Sequence, residues 1–339
     1  MNLNVLIAGC TGYIGLQLVK LLSKHQNINI KYLCGTSSIG KKIDYYDKSL
    51  IKYKLPKIIK FKKYLLNDVD IIFTALPNGE SQKISKLLKE NNRLIDLSAD
   101  FRLNDEKDYF SWYKIKHSAK YNIKNSVYAL PEITGKKIKN YKIIACPGCY
   151  PTSILLPLIP LIKKGLVNKK NIIIDSKSGY SGAGRSVHKK YKNKNLYESL
   201  SSYGIAVHRH NSEIQQELNI HTKKKVEFSF TPHLSPMFRG ILTTIYIDVN
   251  PRNNVNKILS FLKKTYKKHE FIKILKPNSN ISTNDVINTN NCLISVCKSK
   301  LKNKIIILSA IDNLIKGGSG QAVQNLNLLY DFKKSTALK

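Results

Sequence analysis

Apolar residues in the first 150 positions cluster in short, nearly continuous runs at 3–8, 30–34, 70–76, 93–97 and 142–145. Runs of that kind are what strands buried on both faces look like. Between them, 15–23 and 81–89 carry the three-to-four spacing of helices laid on a sheet. The alternation predicts an α/β, doubly wound parallel sheet. Past about residue 170 the rhythm changes to longer strands at 171–175, 226–231, 240–249, 292–298 and 304–311, with one clear helix at 255–269. This predicts a second domain of α+β type. A last helix, 320–330, follows a glycine-rich turn and is expected to return to the first domain. The expected division is therefore 1–147, completed by 316–339, and 148–315. The basic stretch 41–63 reads as a solvated excursion.

A chain of 339 residues has room for two such domains. Its net charge of +35 would ordinarily suggest nucleic acid. Only six of the 57 cations are arginines, however, and the lysines are scattered among Asn, Ile and Tyr without the aromatic interleaving of a nucleic-acid groove. No nucleic-acid partner is expected. The rare arginines matter more, because a planar fork suits carboxylate and phosphate. The segment 143–162 has the length of a membrane span and no charge, but Pro147, Pro151, Pro157 and Pro160 interrupt it. It reads as strand, turn and buried helix, with no membrane contact. Six cysteines in so long a chain do not suggest a disulfide framework, and no targeting peptide precedes the first strand. A cytoplasmic setting is expected.

Gly9-Cys-Thr-Gly-Tyr-Ile-Gly15 directly follows the first predicted strand and opens the first helix. The glycines allow a tight turn and close backbone approach to a pyrophosphate, which the helix N-terminus favours. Gly9, Thr11, Gly12, Tyr13, Ile14 and Gly15 are thus candidate dinucleotide contacts, making the first domain a Rossmann-type one. After the second strand, where an acid would hold the ribose of NAD, the sequence is Cys34-Gly-Thr-Ser-Ser-Ile-Gly-Lys-Lys42. With no carboxylate there, Ser37, Ser38 and Lys41 could hold a 2′-phosphate, which favours NADP.

Ala145-Cys-Pro-Gly-Cys-Tyr-Pro-Thr152 places its second cysteine near a helix start, where a thiolate is favoured. Three readings compete: a redox pair, half of a zinc site, or a single nucleophile at Cys149. No second C-x-x-C exists to complete a zinc site, and no metal is expected.

Taken in order, Gly9 to Gly15, Asp96-Leu-Ser-Ala-Asp-Phe-Arg-Leu103, Tyr128-Ala-Leu-Pro-Glu132, Pro147-Gly-Cys-Tyr-Pro-Thr152, Ser178-Gly-Tyr-Ser-Gly-Ala-Gly-Arg185, His208-Arg-His210 and Lys316-Gly-Gly-Ser-Gly-Gln-Ala-Val-Gln-Asn325 closely resemble the N-acetyl-γ-glutamyl-phosphate reductase family of arginine biosynthesis, which is related to aspartate-semialdehyde dehydrogenase. The resemblance spans almost the whole chain. It implies a catalytic domain of the glyceraldehyde-phosphate-dehydrogenase type, NADPH, a homo-oligomer (dimer or tetramer), and N-acetylglutamyl phosphate as substrate. A carrier-linked aminoadipyl-phosphate reductase of lysine biosynthesis is the alternative. Cys149 then takes the role of nucleophile through a thioacyl intermediate. Cys146 stands where the family more often has another residue.

By the same resemblance His208 is the acid/base, His210 and Glu213 line the substrate side, and Gly317 and Gln321 reach the nicotinamide side of the cofactor. Read as a strand, positions 208 and 210 share a face. Arg185 follows Ser181-Gly-Ala-Gly, a turn able to fold over an anion, so Ser181 and Arg185 are candidate substrate contacts. Arg209 and Arg239 are further candidate forks, whereas Arg102 reads as structural.

Overall fold

The computed structural model describes residues 2–185 and 198–339. It divides into two units, Met1–Pro147 with Gly318–Lys339, and Gly148–Gly317.

The first unit is built on strands β1 (Leu3–Ala8), β2 (Ile28–Cys34), β3 (Ile58–Ile59), β4 (Ile71–Thr74), β5 (Arg93–Asp96), β6 (Ser126–Tyr128) and β7 (Ile143–Ala145). They form one sheet in the order β3-β2-β1-β4-β5-β7-β6, with every pair parallel. The chain reverses its direction of growth between β1 and β4, the position at which such sheets open a ligand crevice at their strand ends. Val5, Leu6, Ile7, Ile71, Ile72 and Phe73 have no exposed surface, which is why these strands are apolar throughout rather than alternating. Helices α1 (Tyr13–Leu22), α2 (Glu80–Ser85), α3 (Glu106–Tyr113), α4 (Lys120–Ile123) and α5 (Pro131–Thr134) connect the strands. The stretch 41–63 is not wholly a solvated excursion. Ile43, Leu50 and Ile58 are buried and β3 pairs with β2, while the lysines stay outside.

In the second unit, α6 (Cys149–Lys163) opens the chain, followed by β8 (Ile172–Gly179), β9 (Ser201–Ser202), α7 (His210–Thr222), β10 (Phe228–Ser235), β11 (Ile241–Asp248), α8 (Val255–Tyr266), β12 (Ile272–Ile274), β13 (Cys292–Lys298) and β14 (Lys304–Ile311). The sheet is mixed, in the order β12-β13-β14-β11-β8-β10-β9. Its strands alternate, as expected when one face is covered: Ile172, Ile174, Ser176 and Ser178 are buried and Ile173 is exposed. Helix α6 is buried from Tyr150 to Ile162 although Pro157 and Pro160 lie inside it. Pro160 has no N–H to give the carbonyl of Leu156, and the Tyr266 hydroxyl on α8 donates to that carbonyl instead.

Two expectations change. Positions 208–210 are not a strand, since His210 begins α7. Its apolar residues, Ile214, Leu218 and Ile220, are too few to announce a helix by period. The other change concerns Lys316 and Gly317, which belong with the second unit rather than with the returning segment, because the Gly317 N–H is bonded to the Asp312 carbonyl. The returning helix α9 (Gly320–Leu329) lies in the first unit, where Asn325 Nδ2 donates to the Ala129 carbonyl and Gln324 Nε2 to Glu132 Oε1.

Candidate active site

The loop after β1 is shaped by steric exclusion. Gly9 has φ +86°, and a Cβ there would lie 2.3 Å from the Ala75 carbonyl oxygen, just beyond β4. A Cβ on Gly15 would lie 2.0 Å from the Gly9 carbonyl oxygen, so α1 can begin this close to the strand only with glycine. Gly12 caps α1 in extended conformation without a side-chain hydrogen bond. Thr11 precedes this cap and Tyr13 and Ile14 are the first residues of α1, the helix end that suits a pyrophosphate. The Cys34 carbonyl accepts the amides of Gly9 and Cys10, which joins this loop to the one after β2. In that second loop Ser37 is exposed, Ser38 adopts φ +62° with its Oγ 2.6 Å from the Tyr46 hydroxyl, and Lys41 Nζ lies 4.0 Å from the centre of the Tyr45 ring. Gln321 is fully buried in α9. The geometry fits a dinucleotide whose ribose meets hydroxyls and a cation instead of a carboxylate. Gly317 belongs to the second unit.

Cys149 is the first residue of α6 and half-buried. Its cap, Gly148, donates its N–H to Glu213 Oε2 at 2.9 Å. A Cβ on Gly148 would fall 2.4 Å from His210 Nε2, so the imidazole lies directly against the backbone that precedes the thiol. His210 Nε2 is 3.8 Å from Glu213 Oε1, and Glu213 has no exposed surface. On the other side, a Cβ on Gly317 would fall 2.7 Å from Cys149 Cβ. The helix start favours negative charge on the sulfur, and the His210–Glu213 pair supplies a group able to move its proton.

His208 lies beside His210, with ring centroids 4.7 Å apart. Its ring packs against Tyr150, Tyr203 and Phe230 with centroids 5.4–5.8 Å away, and Nδ1 accepts the His210 amide at 3.1 Å. Burial, assisted by the charge of Arg209, lowers its pKa to about 4, so it is neutral at neutral pH. Cys146 is fully buried: burial pushes its thiol up to about 12, and Asn325 Nδ2 lies 3.7 Å from its sulfur.

Ser181 is buried and accepts a 2.9 Å hydrogen bond from Asn313 Nδ2, while Arg185, four residues on, is exposed. Arg239 is held within the fold, its Nη1 donating to Asn288 Oδ1 at 2.6 Å and Asp312 Oδ2 at 3.2 Å. Arg209 is exposed at the cap of α7, and Arg102 donates to the Leu97 carbonyl. Among the described residues no group of three or more His, Cys, Asp or Glu is placed to hold a metal ion. Sequence reasoning missed Gly148, which packs on His210, and the contacts of Asn313 with Ser181 and Gly240. Gly148 was legible as the residue before a cysteine at a helix start, whereas nothing in the sequence signals the contacts of Asn313.

Residues 4–141 match the model of the semialdehyde dehydrogenase NAD-binding domain, and 149–313 that of the semialdehyde dehydrogenase dimerisation domain. Over 98% of this chain and 97% of the relative, the sequence is 43% identical to N-acetyl-γ-glutamyl-phosphate reductase of Vesicomyosocius okutanii. It is 41% identical to the probable chloroplastic N-acetyl-γ-glutamyl-phosphate reductase of Oryza sativa, over 100% of this chain and 81% of the relative. Among solved structures, aspartate semialdehyde dehydrogenase II of Vibrio cholerae superposes with a TM-score of 0.73 at 16% identity, over 98% of this chain and 99% of that one. The NADP complex of aspartate semialdehyde dehydrogenase from Candida albicans gives 0.69 at 17%, over 97% and 99%.

Proposed function

The chain belongs to the N-acetyl-γ-glutamyl-phosphate reductase family, and from that premise we propose how its own residues divide the work. It is an NADP-dependent oxidoreductase of arginine biosynthesis, converting N-acetylglutamyl phosphate to N-acetylglutamate semialdehyde with release of phosphate. The relatives do not favour the carrier-linked lysine reaction. NADPH supplies hydride to the acyl carbon when bound. Gly9, Gly12 and Gly15 hold its pyrophosphate against α1, and Ser37 and Ser38 meet the 2′-phosphate together with Lys41.

The contact of His210 with Gly148 carries the assignment of catalytic groups. Cys149 attacks the γ-carbonyl carbon, the C–O bond to phosphate breaks, and a thioester remains on the sulfur. His210 takes the thiol proton, is held as imidazolium by Glu213, and returns the proton to the sulfur when the C–S bond breaks and the aldehyde departs. His208 serves a different purpose: neutral and enclosed by Tyr150, Tyr203 and Phe230, it holds the His210 backbone through Nδ1. This reverses the roles that the sequence motif suggests for the two histidines. Ser181 and Arg185 receive the anionic end of the substrate.

The test is steady-state turnover of the two histidine variants. His210→Gln is expected to lower kcat about a hundredfold and His208→Gln by less than about tenfold. The opposite order would return the acid/base role to His208.

The matched dimerisation-domain model supports a homo-oligomer formed by the second unit. Ile173 and Tyr246 are register partners on the outward face of β8 and β11, 51% and 37% exposed, and offer an apolar surface to a second copy. No helix among the described residues is long and apolar enough to cross a membrane. The cytoplasm, where a thiolate nucleophile stays reduced, is the proposed setting.

A further inference from the structure

One polar cluster of the second unit has no task in the scheme above. Asp312 and Asn313 directly follow β14 and are 0% and 2% exposed. A buried carboxylate needs its lone pairs filled, and those of Asp312 are. Its Oδ1 accepts the amides of Leu314 at 2.8 Å and Ile315 at 3.1 Å, and its Oδ2 accepts the Asn288 amide at 2.8 Å and Arg239 Nη1 at 3.2 Å. The Asp312 carbonyl accepts the N–H of Gly317, the residue packed on Cys149.

Asn313 holds two other segments. Its Oδ1 accepts the Gly240 amide at 2.7 Å, and its Nδ2 donates to Ser181 Oγ at 2.9 Å. A Cβ on Gly182 would lie 3.5 Å from the same Nδ2. The two segments also bond to each other, the Ser181 amide to the Phe238 carbonyl and the Gly179 amide to the Gly240 carbonyl. Adjacent buried residues thus fix both the turn packed on the Cβ of Cys149 and the turn that leads to Arg185.

We propose that Asn313 is a positioning residue for the acyl phosphate: through Ser181 it fixes the turn ending at Arg185 relative to the Gly317 turn that packs on Cys149. This rests on the reading that Ser181 and Arg185 receive the substrate. Asn313 itself touches no reacting atom, so its removal should weaken substrate binding and leave the thiol as reactive as before.

The test uses the phosphate-dependent oxidation of N-acetylglutamate semialdehyde by NADP, with Cys149 alkylation by iodoacetamide measured alongside. Asn313→Leu is expected to raise KM for the semialdehyde about tenfold or more, with kcat and the alkylation rate within about threefold of the parent. Asn313→Asp keeps an acceptor for the Gly240 amide and offers its second oxygen to the Ser181 hydroxyl, which then donates, so KM should stay within about threefold. Adding Ser181→Ala to Asn313→Leu should raise KM by less than about twofold further, because the hydroxyl has already lost its anchor. Should the leucine variant not fold, Asn313→Ser carries the same expectation. An unchanged KM in folded Asn313→Leu, or a Ser181→Ala effect that multiplies fully with it, overturns the proposal. An unchanged KM for the semialdehyde in both Arg185→Gln and Ser181→Ala, each made alone, would instead overturn the reading beneath it.

Discussion

Helices α1 and α6 begin alike and are put to opposite uses. Each follows a parallel strand of the first unit's sheet, and each is capped by a glycine in nearly the same extended conformation, φ −69° and ψ 166° for Gly12, φ −66° and ψ 160° for Gly148. Neither cap makes a side-chain hydrogen bond. Both helix starts favour an anion. At α1, in the proposed scheme, the anion is one that binds and leaves. In the same scheme the first residue of α6 is itself the anion, a cysteine joined to the helix, and its surroundings are specific: Glu213 takes the cap amide and His210 lies against the cap carbon. An open terminus suits a ligand, whereas a terminus with an acid/base pair beside it suits a nucleophile.

The sharpest way to break that contrast is to remove the attached anion. Cys149→Ser is expected to lower turnover about a thousandfold or more, since an alcohol is a far weaker nucleophile than a thiolate. Cys146→Ser, at a buried thiol pushed up to about 12, should stay within about threefold of the parent. Equal losses in both variants would favour a redox pair over a single nucleophile.

Changing the open terminus should act on the cofactor alone. A methyl on Gly15 must displace the Gly9 carbonyl, 2.0 Å from its ideal position. Gly15→Ala is therefore expected to raise KM for NADPH about tenfold or more, while iodoacetamide still alkylates Cys149 at about the parent rate. A matching loss of thiol reactivity would mean that the two termini are not independent.

Much of this was readable beforehand because glycine, proline and cysteine act locally. The buried strands of the first unit announced themselves as unbroken apolar runs, and Gly9 to Gly15 could be placed from spacing alone. What could not be read depends on contacts distant in sequence. Glu213 reaches Gly148 across 65 positions, and Asn313 reaches Ser181 across 132. The secondary structure of the histidine pair was illegible for a local reason: His208-Arg-His210 resembles an alternating strand, whereas α7 starts at His210, where the two rings pack on each other with centroids 4.7 Å apart.

The smallest expected effect concerns stability. His208 has a pKa of about 4 in the folded protein, below the ordinary value of about 6.5. Between those two values the unfolded chain binds the proton and the folded one does not, so stability should fall as pH drops through that window and be unaffected above it. His208→Phe, which fits the same aromatic enclosure, should flatten the dependence of Tm on pH between about 6.5 and 4. An unchanged slope would place that dependence elsewhere.

The most direct test of the whole account is intact-mass and peptide analysis of the protein mixed with N-acetylglutamyl phosphate in the absence of NADPH. With no hydride available the reaction should stop at the thioester, giving one N-acetylglutamyl adduct per chain, located on Cys149 and discharged when NADPH is added. An unmodified Cys149, with the acyl group on another residue or on none, would contradict it.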